Sequence, residues 1–303
     1  MLNDSFQQLV DTILTMNPLQ RRKTEAFLQE GDETFRRRAQ RFTDSFGRAC
    51  TELGLSMDDV ARAYGELCKD MLVEQIKFQK TGRYSLSCAN EAYASIYFSA
   101  DKMARYMMGL AVSQFLWPNH YGLFNFFLDS VSRVGAKKYL EIGPGHGLLF
   151  AEAVSALGDA EAMAIDLSPT SVEFTRAMIS AYGLDSRCQV LQGDFNNLPS
   201  GNYDLVALCE VLEHVDDPAE MLGSVKRLVK HGGHLFITTC SNCPAIDHVY
   251  LYTSVDQIRT QLHDSGFQII DEVAYTIDNL PKMANREKVT GCNYGALLRI
   301  ANN

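Results

Sequence analysis

The stretch LEIGPGHGLLF, residues 140–150, restricts this chain more than any other part of it. A short apolar run carries the acid Glu141, glycines follow at 143, 145 and 147, and a second apolar run starts at Leu148. A strand that feeds a helix through a glycine turn places backbone amides, and the positive end of the helix, beside whatever binds at the strand's C-terminal edge. Glycine is required because a ligand approaches the backbone closely only where no Cβ intervenes. Two cofactor classes use this device. The dinucleotide fingerprint Gly-x-Gly-x-x-Gly, counted from Gly143, puts Leu148 where its third glycine belongs. The spacing here is Gly-x-Gly-x-Gly behind Glu141, which suits a different ligand.

The surrounding pattern supplies the fold class. From Lys137 onward KKYLEI, AEAMAID, CQVLQGD, YDLVALCE and GHLFITT are β-rich runs, most of them separated by helical segments. The alternation predicts an α/β, doubly wound, Rossmann-like seven-stranded sheet. Ser168-Pro169 predicts a capped helix that Gly183 closes, and Asp217-Pro218 predicts another, with Lys226, Arg227, Lys230 and His231 in its last turn. Ser254 with Gln257 caps a further helix that stops at Gly266. After it, FQIIDEVAYTI (267–277) and GALLRIA (295–301) follow without a helix between them, which predicts an antiparallel pair at the sheet's edge.

Before residue 133 the signals are helical. Ser56 and Asp59 form a capping-box pattern, with Val60, Tyr64, Leu67 and Met71 on one face behind it. Residues 88–117 predict one or two largely buried helices stopped by Pro118. The expected organisation is a helical cap or dimerisation domain over 1–132 and a cofactor-binding domain over 133–303. Net charge of −9 argues against a general nucleic-acid surface, because phosphate neutralisation needs clustered bases. The arginine-rich stretch 21–41 interleaves Glu25, Glu30, Asp32 and Glu33 with its bases, as a salt-bridged helix face does. The start MLNDSFQQLV lacks the features of a signal peptide, and 106–117 is too short to span a bilayer, so a cytoplasmic protein is expected. Eight cysteines then imply reduced thiols rather than a disulfide framework. Cys240 and Cys243 have CxxC spacing with no second pair to complete a zinc site.

At this point the chain resembles the class I S-adenosylmethionine-dependent methyltransferases, in particular the ubiquinone-biosynthesis-like branch. The likeness covers roughly residues 120–303. EIGPGHG (141–147) resembles the loop that wraps the cofactor's methionine portion, which implies Glu141, Gly143, Gly145 and Gly147 as contacts. AIDLSP (164–169) implies Asp166, with Leu167 beside it, at the ribose hydroxyls. QGDFNNLP (192–199) implies Asp194 and Phe195 at the adenine; Asp194 also fits an Asx turn after a strand. ALCEVLEHVDDP (207–218), with Glu210, resembles the motif where the sulfonium and the acceptor meet. The terminal strand pair matches the family's sheet, whose last strand runs antiparallel. The implied cofactor is S-adenosyl-L-methionine.

Methyl transfer from a sulfonium is an in-line displacement with a good leaving group, so alignment is much of the task. A base is needed where the acceptor must lose a proton, and His214, His248 and His120 are the candidates. Tyr84, Tyr121, Asp247 and Tyr252 are expected to contact the acceptor, and Arg83, Lys282 and Arg286 offer charge for an anionic group. No metal is expected. The predicted partners are a small-molecule methyl acceptor and a second copy bound through the helical region, not nucleic acid or membrane. A small metabolite or natural-product intermediate methylated on C, N or O is the leading expectation. An RNA or protein methyltransferase, and a non-catalytic S-adenosylmethionine-binding regulator, are the competing ones.

Overall fold

A computed structural model describes residues 4–277 and 290–301 of the chain. Seven helices come first: α1 (Asp4–Met16), α2 (Arg21–Gln29), α3 (Glu33–Glu52), α4 (Met57–Thr81), the single turn α5 (Ala89–Ala92), α6 (Ala100–Leu116) and α7 (Pro118–Val134). A π-helical turn, Tyr93–Tyr97, links α5 to α6. The predicted capping box of α4 is present: the Asp59 N–H donates to Ser56 Oγ at 3.2 Å, and the Ser56 N–H donates to Asp59 Oδ2 at 2.9 Å. Val60, Tyr64 and Leu67 are buried behind it as their spacing requires. Pro118 ends one helix and begins the next, because it lacks the N–H that α6 would need and presets the φ that α7 starts with.

The second part alternates: β1 (Lys138–Ile142), α8 (Leu148–Ala156), β2 (Glu161–Asp166), α9 (Pro169–Tyr182), β3 (Cys188–Gln192), β4 (Tyr203–Cys209), α10 (Pro218–Lys226), β5 (Val229–Ser241), α11 (Val255–Asp264), β6 (Phe267–Ile277) and β7 (Gly291–Ile300). The strands form one sheet in the order β3-β2-β1-β4-β5-β7-β6. β1 to β5 pair in parallel, and β7 inserts antiparallel to both β5 and β6. The strand order reverses between β1 and β4, so a crevice opens at their C-terminal ends.

Two boundaries differ from the sequence expectation. α10 stops at Lys226, and Lys230 and His231 belong to β5, because Val229 pairs with Tyr203 and Lys230 reaches the Asp204 carboxylate across the strands. The last strand begins at Gly291 rather than 295, since Cys292, Asn293 and Tyr294 continue its register against Ser241, Cys240 and Thr239.

The two sheet faces have separate cores. Tyr139, Leu205, Ala207, Phe236 and Leu297 face one side, where they share a cluster with Phe6, Phe35, Phe42, Phe46 and Phe115 of the N-terminal helices. Leu140, Ile142, Val206, Leu208 and Ile237 face the other, against Leu222, Ile258 and Leu262. Full burial of one such side chain contributes about 1.5–3 kcal/mol, so the N-terminal helices are bound to the sheet by much of their own core. The period of two along β1 puts Glu141 on the same face as Tyr139, beneath those helices. That placement matters for the site.

Candidate active site

The turn between β1 and α8 is fastened to its neighbours before any ligand is considered. The Gly143 N–H donates to the Ile165 carbonyl at 2.9 Å, and φ is +71° at Gly143, a conformation L side chains rarely adopt. Gly147 has a different task. A Cβ there would lie 2.7 Å from the Thr175 Cα, so the third glycine lets α8 pack against α9 and does not line the cavity. Asp166, at the end of β2, accepts from the Ser168 N–H at 2.8 Å and from the Gly145 N–H at 3.5 Å. Burial pushes its carboxyl up to about 6, with these backbone donors opposing the rise.

Glu141 carries the clearest sign that a ligand binds here. Its Oε2 accepts from the Tyr139 hydroxyl, while Oε1 is buried with no hydrogen-bond partner among the described residues. Burial raises this carboxyl to about 8, against the lowering effect of Tyr139. A buried acceptor without a donor is costly, and it is relieved when a cationic or N–H-bearing group arrives. Asp194 accepts from the Asn196 N–H at 2.8 Å, which makes it the Asx residue of a short turn, yet it lines the same cavity as Phe195 and the exposed Leu167. Glu210 follows β4 with φ of +53°, and its Oε1 is also buried without a partner among the described residues. Burial and then the nearby Glu213 carboxylate hold Glu210 well above the usual carboxylate range.

Loops after β4 and β5 converge on a second group. Nδ1 of His214 lies 3.1 Å from the Asp247 carbonyl and 3.6 Å from the Asp247 Oδ2. A carbonyl only accepts, so Nδ1 carries the proton and Nε2 is left as a base. Two buried hydroxyls hold the Asp247 carboxylate: Tyr97 from the π-helical turn donates to Oδ2 at 3.0 Å, and Tyr106 from α6 donates to Oδ1 at 2.8 Å. The His248 ring stands 4.9 Å from that of His214, with its Nδ1 2.6 Å from the Cys243 carbonyl. Burial lowers His248 to about 4, with His214 adding to the effect. His120 sits apart. The Ser113 hydroxyl donates its proton to the Leu110 carbonyl at 2.7 Å, so the His120 Nδ1, 2.8 Å from Ser113 Oγ, is a donor and Nε2 is free to accept. Burial, then His146, lowers His120 to about 4.

One cavity of about 1160 Å³ joins both groups, larger than a pocket for a single drug-sized ligand. Of the sequence-predicted residues, Glu141, Gly143, Gly145, Asp166, Leu167, Asp194, Phe195, Glu210, His214, Asp247, His248 and His120 all line it. Three predicted acceptor contacts do not. Tyr84 stands behind His248, its ring 5.6 Å away and its hydroxyl accepting from the Cys243 N–H at 3.2 Å. Tyr121 packs edge-on to Phe35 within the helical core, ring centroids 4.9 Å apart. Tyr252 is fully buried, its hydroxyl donating to Gln261 at 2.9 Å. Arg83 is an exposed residue outside the cavity, and Lys282 and Arg286 lie outside the described residues. Sequence reasoning missed His146, whose Nδ1 accepts from the Leu148 N–H at 3.2 Å, although it lies inside the quoted glycine loop. Glu213 was missed as well, and Cys240 was weighed only as half of a CxxC pair. Thr239 Oγ1 donates to Glu213 Oε2 at 2.7 Å, and Glu213 Oε1 is buried with no hydrogen-bond donor among the described residues, 3.9 Å from His214 Nε2.

A methyltransferase-domain family model matches residues 140–237. A ubiquinone biosynthesis O-methyltransferase of Thiobacillus denitrificans is 34% identical over 188 residues, which cover 55% of this chain and 80% of that protein. The chain belongs to the class I S-adenosylmethionine-dependent methyltransferases. A ubiquinone biosynthesis O-methyltransferase of Xanthomonas oryzae is 37% identical over 123 residues, 39% of this chain; the match spans half (50%) of that relative's length. An O-methyltransferase family protein from Burkholderia thailandensis has the same fold, with a TM-score of 0.53 at 19% identity over 82% of this chain and 74% of that one. The cofactor of this methyltransferase family is S-adenosylmethionine, and the residues present fit it. Gly143 and Gly145 present no Cβ to the crevice, Asp166 offers a carboxylate one strand away, and the Glu141 Oε1, without a hydrogen-bond donor among the described residues, suits the cofactor's amino group.

Proposed function

We propose that this protein methylates a hydroxyl oxygen of a small metabolite or natural-product intermediate, with His214 as general base. The observation that carries this reading is the single cavity shared by the glycine turn and the His214–Asp247 pair. When bound, S-adenosylmethionine supplies an electrophilic methyl group on a sulfonium. Glu141 and the glycine turn would hold its methionine portion, Asp166 its ribose, and Asp194 with Phe195 its adenine. Glu210, with an unpartnered oxygen at the end of β4, would sit between cofactor and acceptor.

The remaining work belongs to side chains at the other end of the cavity. His214 takes the hydroxyl proton on Nε2, and the imidazolium so formed faces the Asp247 carboxylate 3.6 Å from its Nδ1. Tyr97 and Tyr106 fix that carboxylate from the helical region, which therefore both roofs the cavity and positions the base. His248 stacks edge-on behind His214 and limits its rotation. His120 offers a second acceptor atom from the opposite wall, suited to orienting the substrate. An oxygen acceptor agrees with the names of the relatives, and a hydroxyl loses its proton on methylation, which gives a base its task.

The arginine-rich stretch does not favour an RNA or protein substrate. Arg21 pairs with Glu25, Arg38 bonds Asn125, and Arg41 pairs with Glu152 and bonds Ser155. A homodimer through the helical region is supported by the exposed apolar row Leu72, Val73 and Ile76 on α4. No described helix is long and apolar enough to cross a membrane. A cytoplasmic setting fits the free cysteines among the described residues. The test is transfer of a tritiated methyl group to a panel of phenolic and alcoholic small molecules. Binding of the cofactor with transfer to none of them would favour the non-catalytic regulator.

A further inference from the structure

We propose that Glu213, Cys240 and His248 form a binding site for a borderline-soft divalent cation such as Zn²⁺. One ligand atom from each of the three lies within 4.8 Å of the others. Around Zn²⁺, with bonds of about 2.0–2.3 Å, tetrahedral ligands stand roughly 3.3–3.8 Å apart, so a modest contraction closes the set.

Each donor is prepared by its neighbours. The Cys243 carbonyl fixes the proton of His248 on Nδ1, which leaves Nε2 with the lone pair a metal needs; an imidazole held by a carbonyl in this way is the common arrangement at metal centres. Thr239 occupies one oxygen of Glu213, and the other, Oε1, in a residue with no exposed surface, has no hydrogen-bond donor among the described residues and lies 3.9 Å from His214 Nε2. Cys240 is 1% exposed; its sulfur makes long contacts to the Cys243 carbonyl and to His248 Nδ1, and the Cys243 thiol is beside it. A thiol, an imidazole and a carboxylate form a ligand set for Zn²⁺, whereas Mg²⁺ demands six oxygens. The CxxC spacing thus acquires a different reading. Cys240 would serve the cluster, while Cys243 turns its Sγ to the Ser241 and Cys292 carbonyls.

Binding forms one sulfur–metal bond and releases the Cys240 thiol proton to solvent. Cys240 and His248 line the cavity and Glu213 does not, so the ion would sit in the cavity wall with its fourth position open toward the acceptor, as in three-ligand catalytic sites. There it would bind an acceptor oxygen and ease its deprotonation. This role rests on the methyltransferase reading; the binding does not, and a metal bound without methyl transfer would overturn that reading alone.

The experiment titrates the full-length chain, stripped with chelator, with Zn²⁺ by calorimetry and with Co²⁺ by absorbance. One equivalent should bind, and Co²⁺ should give a thiolate-to-cobalt charge-transfer band. C240S should abolish the band and weaken Zn²⁺ binding tenfold or more, and E213Q should weaken binding while keeping the band. C243S, which leaves the Cys243 carbonyl in place, should bind as the parent does. Thermal unfolding of each variant establishes that it is folded. No band in the parent, full binding by folded C240S, loss on C243S, or displacement of Co²⁺ by Mg²⁺ would each overturn the proposal.

Discussion

In the proposed function Asp166 holds the cofactor and His214 serves as the base, so their removal should separate binding from turnover. Replacing Asp166 by alanine removes a charged acceptor at the ribose position. S-adenosylhomocysteine affinity should fall by about 1.5–3 kcal/mol, roughly tenfold to over a hundredfold, in a calorimetric titration. His214→Ala should leave that affinity unchanged and lower kcat ~10²–10⁴-fold in the tritiated-methyl assay. Unchanged turnover would remove His214 as the base. Glu141 adds a pH dependence with a definite sign. Burial holds its carboxyl at about 8 without ligand, so it is protonated at neutral pH, and an incoming ammonium requires it ionised. Affinity for S-adenosylhomocysteine should therefore rise between pH 6 and 8, within about two units of that value, and binding should release a proton. Calorimetry in buffers of different ionisation enthalpy measures that proton, and Glu141→Gln should abolish its release.

The turn, the caps and the alternation of strands with helices were legible in the sequence because each is local chemistry. Ser168-Pro169, Asp217-Pro218 and the Ser56–Asp59 box sit where their hydrogen bonds require. Gly147 shows where legibility ends. Its place in the motif suggested a cofactor contact, but what it accommodates is Thr175, twenty-eight residues away on α9. Gly147→Ala should cost about 1–3 kcal/mol of stability in chemical denaturation, through overpacking and a φ of +73°. Ser56→Ala, which only breaks a cap, should cost about 1 kcal/mol. The aromatic residues were the least legible. Tyr97 and Tyr106 bind Asp247, whereas Tyr121 and Tyr252 are core, and all four are tyrosines in apolar runs. Only the path of the helices over the sheet distinguishes them. The ends of α10 and β7 were misjudged for the same reason, since cross-strand pairing overrode local preference.

The molecule as a whole is an α/β sheet whose N-terminal helices complete one of its two cores and supply two of the hydroxyls in its cavity. Its buried titratable groups pull stability in opposite directions. His120 and His146, lowered to about 4 by burial, contribute stability above pH 6.5 that is lost as pH falls through 4. Asp166 and Glu141, raised to about 6 and 8, contribute stability at low pH that is lost as pH rises through those values. The melting temperature of the ligand-free protein should decline toward both extremes, and S-adenosylhomocysteine should recover the alkaline loss but not the acid one. One titration decides whether this cavity is what its residues indicate. S-adenosylhomocysteine added to the full chain should bind with one-to-one stoichiometry and raise the melting temperature, with Asp166→Ala greatly weakened. No binding of that ligand, or stabilisation by a dinucleotide in its place, would contradict the account.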